Sequence, residues 1–395
     1  MNIQVQSKIS LYPLQIRPDK RHFIVEESTT GEFYEMPKIC IDAIEQINKG
    51  ITLEQVEQAL LKTYPADEVD VMSFAQQLVE FGLVKEIDGT ELSIKKKSRR
   101  ADGFGWISPK FGRIFFNKVT NKLYMTLLLV NILLVLSNPE LLPNYKEIFL
   151  FDSMVLSILS YMVISLALIV IHEFGHILAI RSFDLPTKLA IGHRLLLIVF
   201  ETDLSAAWKL APRQRNTLYF AGMSFEQVII TIAFLLTMFI GDGNAIVTGV
   251  LAIVIFDIFI KTIYQCCFYM KTDCYYIIEN ISGSYNLMEN GKQYLRKWLP
   301  FIKKDSTTQT FQDETLAVRL YSVFYVFGLF VTIVLFVSYF IPQAYYAYSQ
   351  IFTNLLSSIK SPYFWDSLVL LGLTILMGGL LIVAMIKKRL EEKSE

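Results

Sequence analysis

The stretch SMVLSILSYMVISLALIVIHEFGHILAI, residues 153–180, sets the architecture of this chain. It is long enough to cross a membrane as a helix, since about 20 apolar residues span the hydrocarbon core. Its last third nevertheless contains HEFGH, residues 172–176, with two histidines and a glutamate. Ionisable side chains at membrane depth must be desolvated and are therefore rare and usually functional. The stretch predicts a membrane helix that carries a chemical site.

Five further stretches are apolar enough to be membrane spans. They are residues 123–137, 218–240, 245–267, 320–341 and 368–386. The 395-residue chain is 53% hydrophobic, and its mean hydropathy of +0.41 is too high for an ordinary soluble enzyme. We therefore expect a mainly α-helical, polytopic membrane protein with about six transmembrane helices.

The distribution of charge separates a head from a body. The formal net charge is zero, but residues 1–94 carry 8 Lys and Arg against 16 Asp and Glu. An acidic head of net charge −8 repels phosphates, so nucleic acid is not an expected partner. The first 30 residues contain no uninterrupted apolar run, so no cleavable signal peptide is expected.

The connecting loops alternate in charge. Those after the first, third and fifth spans, residues 138–150, 241–244 and 342–362, contain only Lys146 and Lys360 as basic residues. The other loops and the C-terminal tail are rich in Lys and Arg. The positive-inside rule then predicts a multi-pass cell-membrane protein with both termini in the cytoplasm.

Residues 1–94 have the pattern of a small α+β domain. Alternation of apolar and polar residues in 9–16 and 22–26 predicts two strands. Three helices are expected next, namely 37–47, 53–63 behind a capping box of Thr52 with Gln55, and one that begins at Asp67 and stops at Gly82. Residues 83–87 and 91–94 then predict a hairpin wing. The layout is that of a winged-helix-like cytoplasmic domain.

A linker at 95–117 separates this domain from the membrane domain, 118–390. It starts within the basic run IKKKSRR, residues 94–100, and then mixes glycines, aromatic rings and cations. Such a segment suits the inner membrane surface, where cations meet anionic lipid headgroups. A second basic amphipathic segment, 292–304, is expected in the same interface, with substrate contact as the alternative.

The HEFGH string has the spacing of a metal site. His172 and His176 are four residues apart, so a helix presents both imidazoles on one face, and Glu173 can hold a metal-bound water. The alternatives are a buried hydrogen-bonding cluster and a proton-relay site in a transporter.

A catalytic zinc requires three protein ligands and one open position. The candidates for the third ligand are Glu201, Asp203, Glu226, Asp257 and Asp273. His172 lies about nine residues, roughly 13 Å of helical rise, from the inner end of its span. Residues 245–281 are too long for one untilted helix, and a break near 267–273 would fold Asp273 back to that depth. Depth in the membrane therefore favours Asp273 as the third ligand. The other four carboxylates remain alternatives.

Three segments resemble the site-2 protease superfamily of membrane-embedded zinc metalloproteases: HEFGH, AGMSFEQ at residues 221–227, and KTDCYY at residues 271–276. The resemblance covers about residues 150–285 and is greatest to peptide zinc metalloproteases of bacterial peptide-modification clusters. It implies that His172, His176 and Asp273 bind Zn²⁺ and that Glu173 is the general base.

The chain departs from that family at several positions. QCCF stands at residues 265–268, Cys274 follows the aspartate in place of glycine, and Gly222-Met223 replaces Gly-Pro. Cys274 is therefore kept as an alternative ligand. Residues 194–203 are expected to form a strand beside the catalytic helix that could pair with an extended substrate.

The head resembles PqqD-like domains, which bind leader segments of ribosomally made precursor peptides by adding them to a sheet edge. This resemblance is one of layout. An acidic head would prefer a peptide with basic residues. The alternative is a regulatory or stabilising cytoplasmic domain.

Together these features predict a membrane zinc metalloendopeptidase that cleaves a leader-bearing precursor peptide or a membrane protein near the cytoplasmic side. A peptide-modifying enzyme or an exporter is an expected partner, besides the membrane lipids. The alternatives are regulated cleavage of a single-span signalling protein, a transporter or immunity protein that uses the His-Glu cluster, and a peptide-binding adaptor with a degenerate site.

Overall fold

The computed structural model describes residues 3–20, 22–65, 69–92, 103–194, 197–240, 244–284, 286–297 and 315–394. The chain is mostly helical. Six helices are long and apolar enough to cross a membrane, namely Pro109–Ser137, Met154–Ser182, Ala221–Ile240, Ala245–Tyr264, Thr315–Leu355 and Pro362–Leu380. The predicted number of spans is thus confirmed as the number of helices suited to that role.

The N-terminal unit contains six strands and three helices. They are β1 Ile9–Leu11, β2 Leu14–Asp19, β3 His22–Glu27, β4 Glu32–Met36, α1 Lys38–Ile47, α2 Leu53–Thr63, α3 Val71–Glu80, β5 Val84–Ile87 and β6 Thr90–Glu91. Two antiparallel sheets form, in the orders β1-β5-β6 and β2-β3-β4. Their inner faces and the three helices enclose one apolar core, which includes Val25, Ile44, Val56 and Leu78.

The sequence pattern missed part of this sheet arrangement. The single strand predicted at 9–16 is two strands, because the chain leaves one sheet at Leu11, passes Pro13, and joins the other sheet at Leu14. Strand β4 was not predicted, since its residues do not alternate strictly in polarity. The capping box of Thr52 is confirmed. Asp67 lies outside the described residues, and α3 begins after the N-cap Asp70.

The C-terminal part is built from α4 to α14 and one hairpin. Its elements are α4 Pro109–Phe115, α5 Lys118–Ser137, α6 Met154–Ser182, β7 Leu189–Arg194, β8 Leu197–Thr202, α7 Pro212–Tyr219, α8 Ala221–Ile240, α9 Ala245–Tyr264, α10 Asp273–Ser282, α11 Leu287–Leu295, α12 Thr315–Leu335, α13 Ile341–Leu355 and α14 Pro362–Ser394. A 3-10 turn, Ser205–Lys209, precedes α7, and a π-helical turn, Phe336–Phe340, joins α12 to α13.

The ends of the first and fifth spans differ from the prediction. The first span starts earlier than residue 123, because the apolar helix α5 begins at Lys118, directly after the short helix α4. The fifth continues to Leu355, so most of the loop expected at 342–362 is helical. Helix α13 packs on α14 with Ile351 buried, and Tyr346 of α13 packs on the ring of Phe149, which makes this extension favourable. The basic run at 94–100 and the second half of segment 292–304 lie outside the described residues.

Close packing of α6 on α8 positions the HEFGH segment. Gly175 of α6 lies so close to Ala221 of α8 that a Cβ on the glycine would come within 2.6 Å of the Ala221 carbonyl oxygen. Small residues permit such close approach of membrane helices. The break expected before Asp273 is confirmed, because α9 ends at Tyr264 and α10 begins at Asp273.

Candidate metal centre

Three potential metal ligands converge between α6 and α10. The Nε2 atoms of His172 and His176 are 3.2 Å apart. Oδ2 of Asp273 lies 3.1 Å from Nε2 of His172 and 3.4 Å from Nε2 of His176. Within the described residues, this is the group of His, Cys, Asp and Glu side chains that could hold a metal ion.

The triangle of ligand atoms has the dimensions of a zinc site. With zinc–ligand bonds of about 2.0–2.1 Å, tetrahedral geometry separates neighbouring ligand atoms by about 3.3–3.4 Å. The observed separations of 3.1–3.4 Å agree with this value. The side chains of His172 and Asp273 retain 14% and 19% of their exposure, whereas that of His176 retains 4%. His172 and Asp273 thus keep some solvent exposure, whereas His176 is buried.

Partners on the far side of each imidazole fix the direction of its lone pair. Nδ1 of His176 donates to the backbone carbonyl of Leu218 at 2.8 Å. Nδ1 of His172 lies 3.0 Å from Oε1 of Glu226. Both partners accept a hydrogen bond from Nδ1–H. In the neutral rings the proton is therefore on Nδ1, and Nε2 presents a lone pair to the triangle. Two lone pairs and a carboxylate oxygen at these distances favour a bound cation.

Strand β8 holds the carboxylate of Glu173. The backbone amide of Thr202 donates to Oε2 of Glu173 at 2.9 Å, and the Thr202 hydroxyl donates to the same oxygen at 2.7 Å. The strand expected at 194–203 is present as β8 and packs beside α6. Glu173 is thus oriented next to the two histidines by groups outside its own helix.

Asp273 is held at the first position of α10. The helix is capped by Thr272, whose hydroxyl accepts from the amide of Tyr275 at 3.3 Å and donates to the carbonyl of Gln265 at 3.1 Å. Gln265 also places its side-chain amide 3.4 Å from Oδ2 of Asp273. The first residue of the QCCF segment therefore contacts the predicted ligand.

The other candidates for the third ligand have different partners. Glu226 orients His172, Asp203 accepts from the amide of Ser205 at 3.0 Å, and Asp257 is paired with Lys261. The Glu201 carboxylate lies against Gly192 of the hairpin. Of the five carboxylates that the sequence offered as the third ligand, the structure groups Asp273 with the two histidines.

Cys274 points away from the triangle. Its Sγ lies 3.7 Å from Sδ of Met223. Burial, together with the nearby Asp273, raises the pKa of the Cys274 thiol to about 12.

Comparison of the chain with protein-family models, with curated proteins and with solved structures returned no match. The resemblance to membrane zinc metalloproteases therefore rests on the sequence segments quoted above.

The sequence analysis missed the supporting groups of the site. Glu226 was considered as a ligand rather than as the partner of His172, and Thr202 and the Leu218 carbonyl were not considered. Glu226 carried a signal, since a carboxylate in an apolar span requires a polar partner. The carbonyl of Leu218 carried no such signal, because every residue has a backbone carbonyl.

Proposed function

We propose that this protein is a membrane-embedded zinc metalloendopeptidase that cleaves a leader-bearing precursor peptide. The observation that carries the proposal is the triangle of His172, His176 and Asp273 with zinc-like ligand separations, next to the oriented carboxylate of Glu173. HEFGH supplies two of the ligands and the base from a single helix.

The surface of the six apolar helices supports insertion in a membrane. Large apolar side chains are exposed along the outward half of α6 and along α12 and α14, including Val163, Phe330 and Ile375. Such surfaces would be covered by lipid. With the loop charges, this gives a multi-pass cell-membrane protein with both termini in the cytoplasm.

The chemistry is hydrolysis of a peptide bond. Zinc held by these three residues would supply Lewis acidity, which polarises a carbonyl oxygen and makes water acidic enough to attack at neutral pH. Glu173 accepts a proton from the attacking water as the new carbon–oxygen bond forms. It then returns the proton to the amine nitrogen as the carbon–nitrogen bond breaks. The products are a free carboxylate and a free amine.

Glu173 and the hairpin would act together on the substrate. A peptide bond inside a helix is shielded by its neighbours, so the segment to be cut must be extended. Strands β7 and β8 lie beside α6, and β8 holds the general base. An extended substrate segment running along this hairpin would pass the ligand triangle.

A cleft beside the N-terminal sheet is the proposed binding place for the leader segment. Strand β4 lies at the edge of the β2-β3-β4 sheet, and among the described strands it pairs with β3 alone. A cleft of about 300 Å³ lies between β4 and the 3-10 turn and is lined by Glu32, Phe33, Tyr34, Ser205 and Trp208. Its aromatic rings and carboxylate suit a peptide with apolar and basic side chains.

The first experiment measures metal content and cleavage in the full chain. The probes are zinc itself and a tagged form of the small peptide encoded nearest to the gene of this protein, produced in the same cells. We expect about one zinc per chain, lost in His172→Ala and in Asp273→Asn. We expect Glu173→Gln to keep zinc and lose cleavage.

Glu140→Gln is the matched control, because it removes an exposed carboxylate from the loop after the first span and leaves the triangle intact. It should cleave normally. Wild-type protein without zinc would support the adaptor alternative. Normal cleavage by Glu173→Gln would contradict the protease.

The leader hypothesis has its own variant. Glu32→Lys reverses a charge that lines the cleft and should weaken binding of a basic peptide, whereas Glu80→Lys reverses an exposed charge on α3 and should not. Equal peptide affinity in both variants would remove the cleft from the proposal.

A further inference from the structure

We propose that the β2–β3 turn of the N-terminal unit is a positioning element of the metal centre, acting through Asp19 and Lys20. The turn is tight, since Asp19 pairs directly with His22 across it and Lys20 has a φ of +49°. It therefore holds two charged residues in a fixed relation. One contacts the helix that supports His176, and the other contacts the helix that carries Asp273. The inference rests on the metal site of the proposed function.

Asp19 connects the turn to α7. Its carboxylate forms a salt bridge of 2.5 Å with Arg215, whose side chain is fully buried. The guanidinium also lies over the ring of Trp208, 4.6 Å from the ring centroid. A buried arginine without a carboxylate partner is strongly unfavourable. The position of α7 is thus tied to the presence of Asp19.

Helix α7 extends this connection to the ligand His176. Leu218 follows Arg215 by three residues and lies on the same side of the helix. Its carbonyl accepts the hydrogen bond from Nδ1 of His176. A shift of α7 by a fraction of an ångström would lengthen this bond and release the orientation of the imidazole.

Lys20 connects the turn to α10. Its Nζ donates to the backbone carbonyls of Asn280 and Ile281, the latter at 2.7 Å. These carbonyls belong to the last turn of α10, where a cation is also favoured by the helix dipole. Gly283 makes room for the lysine stem, because a Cβ there would lie 2.8 Å from Cδ of Lys20. Asp273 stands at the opposite end of α10, about 13 Å away along the helix axis.

Helices α7 and α10 are joined to each other as well. Asn280 donates to the carbonyl of Pro212 at 2.6 Å and to Oδ1 of Asn216 at 2.5 Å. Tyr219 stacks on Tyr276. The β2–β3 turn therefore binds a block of two helices that supports His176 at one end and carries Asp273 at the other.

This arrangement couples docking of the N-terminal unit to metal affinity. If the docked unit favours the geometry in which the three ligands converge, removal of its contacts must weaken metal binding. By reciprocity, metal binding must strengthen docking by the same factor. A unit that binds a leader peptide would in this way be connected to the catalytic centre through two side chains.

The test uses the full-length protein and cobalt as a spectroscopic probe. Lys20→Ala should weaken cobalt and zinc binding about 5- to 50-fold, measured by competition with a chelator. It should also change the visible absorption bands of bound cobalt, which report the ligand geometry. Lys20→Arg should restore both. Lys85→Ala is the matched control, since Lys85 pairs with Glu91 in the other sheet of the same unit.

Asp19→Asn provides a second variant that removes the buried ion pair. The metal-free forms are compared by thermal unfolding, so that a folding defect is separated from a weaker site. Cobalt affinity and spectrum unchanged in both Lys20→Ala and Asp19→Asn would overturn the inference.

The reciprocal measurement is amide hydrogen exchange at residues 14–27. Zinc should slow this exchange in the wild type and leave it unchanged in Asp273→Asn. Equal exchange with and without zinc in a protein that binds the metal would also overturn the inference. Failure of the proposed function looks different, because then the wild type holds no zinc or Glu173→Gln still cleaves.

Discussion

Nδ1 of His172 lies 3.0 Å from a carboxylate oxygen of Glu226, a residue buried on α8. The two residues belong to different helices, and their contact directs Nε2 of the imidazole toward His176 and Asp273. A carboxylate in this position also raises the basicity of a metal-bound histidine.

Replacement of Glu226 should weaken the metal site without removing a ligand. We expect Glu226→Ala to lower zinc affinity about 10- to 100-fold, and Glu226→Gln, which keeps an acceptor, to lower it less. Chelator competition measures both. The metal-free variants are also compared by thermal unfolding, because removal of one partner of a buried pair is itself destabilising. Unchanged affinity in Glu226→Ala would show that the contact does not orient a ligand.

Addition of one methyl group at Gly222 should abolish metal binding. A Cβ at this position of α8 would overlap the imidazole of His172, so the ring must leave the triangle. We expect Gly222→Ala to lose zinc as measured by elemental analysis. Gly378→Ala is the control, because a Cβ there meets open space on α14. Full zinc content in Gly222→Ala would mean that the ring has room to move and still bind.

Thr202 should affect the reaction rate and leave the metal in place. Its hydroxyl and its amide both donate to Glu173, and only the hydroxyl is removed in Thr202→Val. We expect kcat to fall about 10-fold with unchanged zinc affinity, since a supporting hydrogen bond to the general base is lost. Thr202→Ser should recover most of the rate. A loss of zinc in Thr202→Val would assign the residue to the metal site instead.

Acidification should loosen the N-terminal sheet through Glu27. Burial alone would raise the pKa of Glu27, but hydrogen bonds from Thr30 and Thr29 outweigh it and lower the pKa from 4.5 to about 2. A folded-state pKa below the unfolded value stabilises the fold above about pH 4.5, and this contribution is lost as the pH falls toward 2.

Amide exchange in β3 and β4 measures this effect in the full chain. The protection factors of these amides, which correct for the slower intrinsic exchange at low pH, should decrease between pH 5 and pH 3. Glu27→Gln should lose this extra pH dependence, and Glu80→Gln, at an exposed position of α3, should retain it. The same dependence in Glu27→Gln and wild type would place the titrating group elsewhere.

The helical part of the fold was largely predictable from the sequence. Apolar runs of span length have few alternatives to a helix, because backbone groups cannot remain unpaired in an apolar environment. The ends were less predictable. Helix α13 extends where the sequence suggested a loop, since it gains packing against α14 that no local pattern records.

The sheet region was less predictable than the helices. Strand β4 reads EFYEM, with Phe33 and Tyr34 adjacent, so its polarity does not alternate strictly. Strand β3 was predicted, because its two faces meet different surroundings. Val25 packs into the core of the N-terminal unit, while Glu26 on the opposite face pairs with Lys209 of the C-terminal part.

The sequence by itself determined which residues could bind a metal and on which helix two of them lie. The i, i+4 spacing of His172 and His176 fixes a shared face through local geometry alone. Only the tertiary structure decided the rest: the selection of Asp273 over four other carboxylates, the role of Glu226, and the connection from the β2–β3 turn to both supporting helices. These depend on contacts between residues 40 to 260 positions apart, and helical periodicity carries no information on such pairs.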